Sequence, residues 1–206
     1  MKTNYQRRDF IKTAALAGIG LGIYGKVSSI SKKPGTEQGG RIGLIGLDTS
    51  HVTGFTRIIN DSSADSGFEG FRVVAAYPTK GSPDFPASIN RLEGFTESVR
   101  EMGVEIVDSI EELLAKVDYI ILTSVDGRRH LAEALPVLKA GKRMFIDKPF
   151  SNSLVGAIAI FEASMKYNVP VFSCSSLRYT PAIQEIVRGE GNVGQVLGVN
   201  TYGSAM

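Results

Sequence analysis

The 206-residue sequence predicts an α/β fold built on a doubly wound parallel sheet. Three observations carry that expectation. Short apolar runs rich in Ile, Leu and Val alternate with stretches of helical spacing, and such runs suit strands buried on both faces. The segments between runs are long enough for helices, which implies right-handed crossovers between parallel strands with helices on both faces. The composition, 43% hydrophobic and 21% charged, is that of a globular protein rather than a disordered chain.

Strands are expected over residues 41–47, 71–77, 104–107, 117–123, 143–146 and 169–173. After the first, Asp48, Thr49 and Ser50 are all helix N-cap types, and an amphipathic stretch runs on through Asn60. Residues 78–86 hold three prolines and read as loop, followed by a helical pattern over 92–102. Ser109 and Glu112 fit a capping box opening a helix to Lys116. A helix over 130–140 is ended by Gly141, and another is expected over 153–167. In such a sheet, ligands bind at the carboxyl ends of the strands.

The remaining composition excludes several classes. One cysteine, Cys174, allows no internal disulfide framework and no cysteine-based zinc cluster, and it reads as a small buried hydrophobe. Two histidines are too few for a multi-histidine metal site, so no metal is expected. The net charge of +2 is uneven: residues 1–29 carry five basic side chains and one acidic. The remainder has 18 basic and 20 acidic residues, a net −2, which removes the basis for a nucleic-acid partner.

Those first 29 residues read as an export leader. Arg7 and Arg8, followed by Phe10 and Lys12, precede an apolar run of 12 residues, 13–24. That run is shorter than the ~20 residues needed to span a bilayer. It resembles a twin-arginine signal, which implies the twin-arginine export machinery as a partner and a periplasmic location, membrane-anchored if the leader is retained. Residues 30–40, polar with three glycines and a proline, read as a linker.

The body carries a further resemblance. Ile146-Asp147-Lys148-Pro149 resembles the Glu-Lys-Pro motif of the Gfo/Idh/MocA oxidoreductases. Residues 117–124 look like that family's fourth strand, and His130 precedes Ala140-Gly141-Lys142 by its usual interval. Residues 177–181 look like the start of the connection to its second domain, and 194–199 like that domain's first strand. The resemblance implies a Rossmann-like dinucleotide-binding domain over 41–173 and, over 174–206, only the start of an α+β substrate domain. It implies hydride transfer between NAD or NADP and a sugar or polyol. The family's second domain supplies an acid–base histidine and an oligomer contact. With so little of that domain in the sequence, the expectation is a truncated protein whose 206 residues alone are inactive.

The cofactor loop departs from the expected fingerprint. In G-x-G-x-x-G the glycines serve the turn, the approach of the pyrophosphate and helix packing. Here the run is Gly46-Leu47-Asp48-Thr49-Ser50-His51, and only the first glycine is kept. Asp48 either sets a carboxylate against the phosphate or caps the helix, with the pyrophosphate displaced toward Thr49 and Ser50. At the end of the second strand Tyr77-Pro78-Thr79-Lys80 stands where an acidic residue normally accepts the ribose, so NADP is as compatible as NAD.

Lys148 is the candidate catalytic residue, able to donate to a substrate hydroxyl from the end of the fifth strand, and otherwise a surface ion pair. Gly46, Asp48, Thr49, Ser50, Ser124, His130, Asp147 and Pro149 are the candidate cofactor-binding residues. His130 reads alternatively as an ordinary helix-start residue, and Arg128 and Arg129 as an anion clamp or a solvated pair. Asp48 and His51, three residues apart, are placed to share one helix side, without enough ligands for a metal. The expected function is thus an exported oxidoreductase on a carbohydrate-like substrate. The competing reading is a non-catalytic nucleotide- or sugar-binding protein that kept the fold and lost the fingerprint.

Overall fold

The computed structural model describes residues 39–61, 68, 70–190, 194–195 and 197–198. The leader over 1–29 and nearly all of the linker lie outside these residues, as do Val196 and Val199 of the strand expected over 194–199.

Six strands form one parallel sheet: β1 (Gly40–Ile45), β2 (Phe71–Tyr77), β3 (Glu105–Ile106), β4 (Tyr119–Leu122), β5 (Arg143–Ile146) and β6 (Val171–Phe172). Their order is β3-β2-β1-β4-β5-β6, so the chain winds outward from β1 in one direction and then from β4 in the other. The helices between them are α1 (His51–Asn60), α2 (Pro86–Glu101), α3 (Ile110–Lys116), α4 (His130–Lys139) and α5 (Leu154–Tyr167). After β6 come a 3-10 turn (Ser176–Tyr179) and α6 (Pro181–Arg188).

Two apolar clusters hold the sheet. Helices α1 and α2 close over Leu44, Leu47, Val73, Ala76 and Val104, to which they add Val52 and Val99. Residues of α3, α4 and α5, among them Leu113, Val137, Leu138 and Ile160, pack with Ile45, Ile120, Leu122, Met144 and Ile146. Leu44 and Ile45, neighbours on one strand, fall in different clusters because successive strand side chains point to opposite faces. Each is fully buried, worth roughly 1.5–3 kcal/mol of apolar transfer. Among the described residues, no helix lies across the β4–β5–β6 half of the α1 side. A groove of about 940 Å³ runs there, lined by Ile121, Phe145 and Phe172 of the sheet and Phe55 of α1.

Local caps follow the expected chemistry. Ser109 Oγ accepts from Glu112 N at 3.1 Å, while the Glu112 carboxylate reaches one residue further back, to Asp108 N at 3.2 Å. Ser153 Oγ accepts from Gly156 N at 3.1 Å. Helix α2 departs from the expected element: it begins at Pro86, six residues before the anticipated start. Proline is tolerated at a first helical position because the N–H it lacks has no intrahelical acceptor there. The outer strands β3 and β6 shrink to two residues each, because each has a partner on one side only.

Candidate active site

The loops after β1, β2, β4 and β5 meet at the carboxyl edge of the sheet. Gly46, with φ +84°, leaves β1 by donating its N–H to Tyr77 O at 2.9 Å. A Cβ at this position would stand 2.3 Å from Ser124 Oγ and 2.5 Å from Ser124 N, so no larger residue fits the turn.

Asp48 corrects the capping expectation. Its carboxylate turns inward, 1% exposed, and bonds no helix N–H of α1. Oδ1 accepts from Val125 N at 3.1 Å, and Oδ2 accepts from Ser88 Oγ at 2.5 Å. Ser88 Oγ in turn accepts from Ser82 N at 2.8 Å. One carboxylate therefore fastens the loops after β1, β2 and β4 and the start of α2. The side chain is directed into the protein, and Asp48 does not share a helix side with His51, because it precedes the helix.

Thr49 and Ser50 lead into α1. Thr49 is half-buried and its Oγ1 accepts from His51 N at 3.4 Å, whereas Ser50 is exposed and caps nothing with its side chain. In the first turn of α1, His51 N–H donates to Thr49 Oγ1 and Val52 N–H to Thr49 O, so what the helix start offers an anion is chiefly its positive end and the Ser50 hydroxyl. At the end of β2, Thr79 Oγ1 is buried without a hydrogen-bond partner, and Lys80 is exposed. In this sheet topology that is the ribose side of a dinucleotide site.

The loop after β4 is built from committed charges. Ser124 Oγ donates to Glu133 at 2.7 Å, and Arg129 donates to the same carboxylate at 2.8 Å and to Gly81 O at 2.7 Å. Arg128 binds Asp126 and Asp84, and Ser82 Oγ also donates to Asp126. Arg128, still exposed, and Arg129 are therefore each committed to carboxylates of the protein rather than free to clamp an anion. The Arg128 hydrogen bonds hold the Asp126 carboxyl well below its ordinary range, outweighing the opposing effect of burial. His130 is fully buried, with Nε2 2.6 Å from Ser124 O and Nδ1 3.1 Å from Phe150 O, so it joins the loops after β4 and β5.

Past β5, Asp147 is 5% exposed, and its Oδ2 pairs with His51 Nδ1 at the start of α1. Lys148 follows, exposed and with no hydrogen bond or ion pair to any described residue. Pro149 comes after a cis peptide bond. Ser50, His51, Asp147 and Lys148 together form the polar end of the apolar groove, where half-buried Cys174 also contributes rather than being sealed in the core.

Sequence reasoning missed Ser88, Glu133 and the His51–Asp147 pair. Ser88 lay between the loop read over 78–86 and the helix read over 92–102, and 96 residues separate His51 from Asp147. The only local signals were a polar residue beside a helix-starting proline and a histidine where helix packing usually wants glycine.

Comparison with known proteins agrees with this geometry. Residues 85–174 match the family model described as Gfo/Idh/MocA, oxidoreductase family, NAD-binding Rossmann fold. A dehydrogenase of Aspergillus oryzae, aclE, is 27% identical over 168 residues, 78% of this chain and 43% of its own length. The chain thus spans less than half of the curated relative it matches. Among solved structures, UDP-N-acetylglucosamine 3-dehydrogenase from Acidithiobacillus ferrooxidans superposes with a TM-score of 0.57 at 19% identity, covering 73% of this chain and 43% of that one. The WlbA dehydrogenase from Chromobacterium violaceum, solved with NADH and UDP-GlcNAcA, gives 0.55 at 17% identity, covering 72% and 39%. Six parallel strands in the 3-2-1-4-5-6 order are the Rossmann fold these solved structures share, and residues 85–174 are similar to the NAD-binding domain of the Gfo/Idh/MocA oxidoreductases.

Proposed function

We propose that this chain forms the cofactor-binding part of an exported oxidoreductase that moves hydride between NAD or NADP and a hydroxyl-bearing carbon of a sugar, sugar nucleotide or polyol. The observation that carries the reading is Lys148. It is exposed at the carboxyl end of β5, bonded to no described residue, in a groove that also holds the His51–Asp147 pair. A lysine at the carboxyl end of β5, unpaired among the described residues, suits a substrate hydroxyl, which its charge makes more acidic.

The residues present fit a dinucleotide. The Gly46 turn permits close approach of the loops, and the uncapped start of α1 with the Thr49 and Ser50 hydroxyls offers donors to a pyrophosphate. The orphan Thr79 hydroxyl and Lys80 stand ready at the ribose side without a carboxylate to repel a 2′-phosphate. Asp48, drawn inward by Ser88 and Val125, leaves the phosphate path free of its side chain. The bound dinucleotide supplies the two-electron acceptor or donor. The chain's part is to shape the rim through Ser124, His130, Asp147 and Pro149 and to present Lys148.

Export follows from the twin-arginine-like leader, and the substrate class from the sugar-nucleotide dehydrogenases of the same fold. Titrating the purified chain with NADH and NADPH, read by nicotinamide fluorescence, tests the cofactor reading. Saturable binding of at least one is expected, and binding of neither refutes it. Lys148→Ala should keep the stability of the parent within ~0.5 kcal/mol, as for an exposed residue with no partner. Where a substrate domain is also present, it should cost turnover ~10²–10⁴-fold.

A further inference from the structure

The two histidines of this chain stand in opposite situations. His130 is sealed in the interior, and both of its ring nitrogens meet backbone carbonyls, which marks a structural residue. His51 sits at the first position of α1 with its side chain 36% exposed. Its Nδ1 faces the buried carboxylate of Asp147, and its Nε2 meets no described hydrogen-bonding group. The Phe55 side chain packs against the ring in a T-shaped contact, with centroids 6.0 Å apart. The ring therefore lines the groove with one nitrogen held and the other open, beside Lys148.

We propose that His51, oriented by Asp147, is the residue that takes and returns the hydroxyl proton in the redox reaction at this edge, with Lys148 polarising the same oxygen. The inference rests on the oxidoreductase reading above. In the oxidising direction the substrate C–H bond breaks and its electron pair leaves as hydride to the nicotinamide. The O–H bond breaks, its proton passes to His51 Nε2, and its electrons form the second bond of the carbonyl. Reduction runs the same transfers backward, so atoms and charge balance with the dinucleotide as the only co-reactant. Asp147 fixes the tautomer: with its carboxylate on Nδ1, the neutral ring carries its proton there and leaves the Nε2 lone pair toward the groove. It then stabilises the imidazolium that proton uptake creates, the role a carboxylate plays behind any histidine base. The acid–base function thereby comes from the loop that ordinarily cradles the pyrophosphate, where a fingerprint glycine would have left no side chain at all.

Long-range ¹⁵N–¹H correlation spectra of the ¹⁵N-labelled chain test this directly, because only two imidazoles contribute. The expected spectrum shows His51 as the Nδ1–H tautomer, with an unprotonated Nε2 signal that moves when saturating NADH or NADPH is added while His130 stays still. Asp147→Ala should shift His51 toward the Nε2–H form usual in water. A His51 already in the Nε2–H form, or an Nε2 signal indifferent to bound cofactor, overturns the proton-transfer role and leaves cofactor binding standing. Failure to bind either reduced dinucleotide overturns the underlying reading, and the role falls with it. Neither arm depends on a variant folding, since the wild-type spectrum alone decides the tautomer.

Discussion

Asp48→Gly writes the second glycine of the dinucleotide fingerprint back into the loop, and on sequence grounds it ought to help. The structure argues the reverse. Asp48 is 1% exposed and accepts from Val125 N–H and from Ser88 O–H, and Ser88 itself is fully buried. Removing the carboxylate strands both donors, and each buried donor left unpaired costs about 1–2 kcal/mol. Glycine adds ~0.5–1 kcal/mol of unfolded-chain entropy. Relief of the carboxylate's own burial offsets part of this, leaving a net loss of about 3 kcal/mol. For a domain of this size that lowers Tm by roughly 6–12 °C. Asp48→Asn keeps an acceptor for Val125 and offers Ser88 a donor instead, so it should lose only ~1 kcal/mol. Thermal and urea unfolding followed by circular dichroism measure both variants. A glycine variant within ~2 °C of the parent, or an asparagine variant as damaged as the glycine one, refutes the reasoning. Adding Ser88→Ala to the glycine variant should cost less than the two changes separately, since they remove the same bond.

Gly46→Ala forces a side chain into φ +84° and against the backbone of Ser124, so a loss of ~2–4 kcal/mol in unfolding free energy is expected from denaturant titration. Asp126 supplies a pH signature. Arg128 holds the folded carboxyl well below the ordinary carboxylate range, so near about pH 4 the unfolded chain binds more protons than the folded one. Its contribution is thus complete above about pH 4–5 and declines as pH falls toward the depressed folded value. Across pH 5 to 2, Asp126→Asn should show a shallower fall of Tm than the parent, and an equal slope would deny the pair its role.

Much of this architecture is legible in single residues. The β2 and β5 runs are found where their apolar content placed them, and Ser109 and Ser153 cap the helices they precede. These features are decided within a few residues of chain, where periodicity and capping operate. The helical start at Pro86 was hidden because a proline that ends one element and a proline that opens another look alike locally. The rim was legible in position but not in wiring. Asp48 finds Ser88 and Val125 at separations of 40 and 77 residues, and Arg128 finds Asp84 at 44. No local preference distinguishes a carboxylate that caps its own helix from one that ties together distant loops. Lys148 stood out from the sequence because its neighbours resemble a motif, and its lack of a partner among the described residues is a property only three dimensions reveal.

The placement of β1 between β2 and β4 also sets a timetable for synthesis. Thr123 Oγ1 donates to Gly46 O across 77 residues of intervening chain. A ribosome adding ~5–20 residues per second therefore completes the second neighbour of β1 roughly 4–15 s after β1 itself. During that interval the strand has an open edge, and Leu44 and Ile45, fully buried in the finished sheet, have only part of their packing. The growing chain thus offers an aliphatic strand to holding chaperones for seconds, and it becomes self-sufficient only when residues 119–122 emerge and close the centre of the sheet.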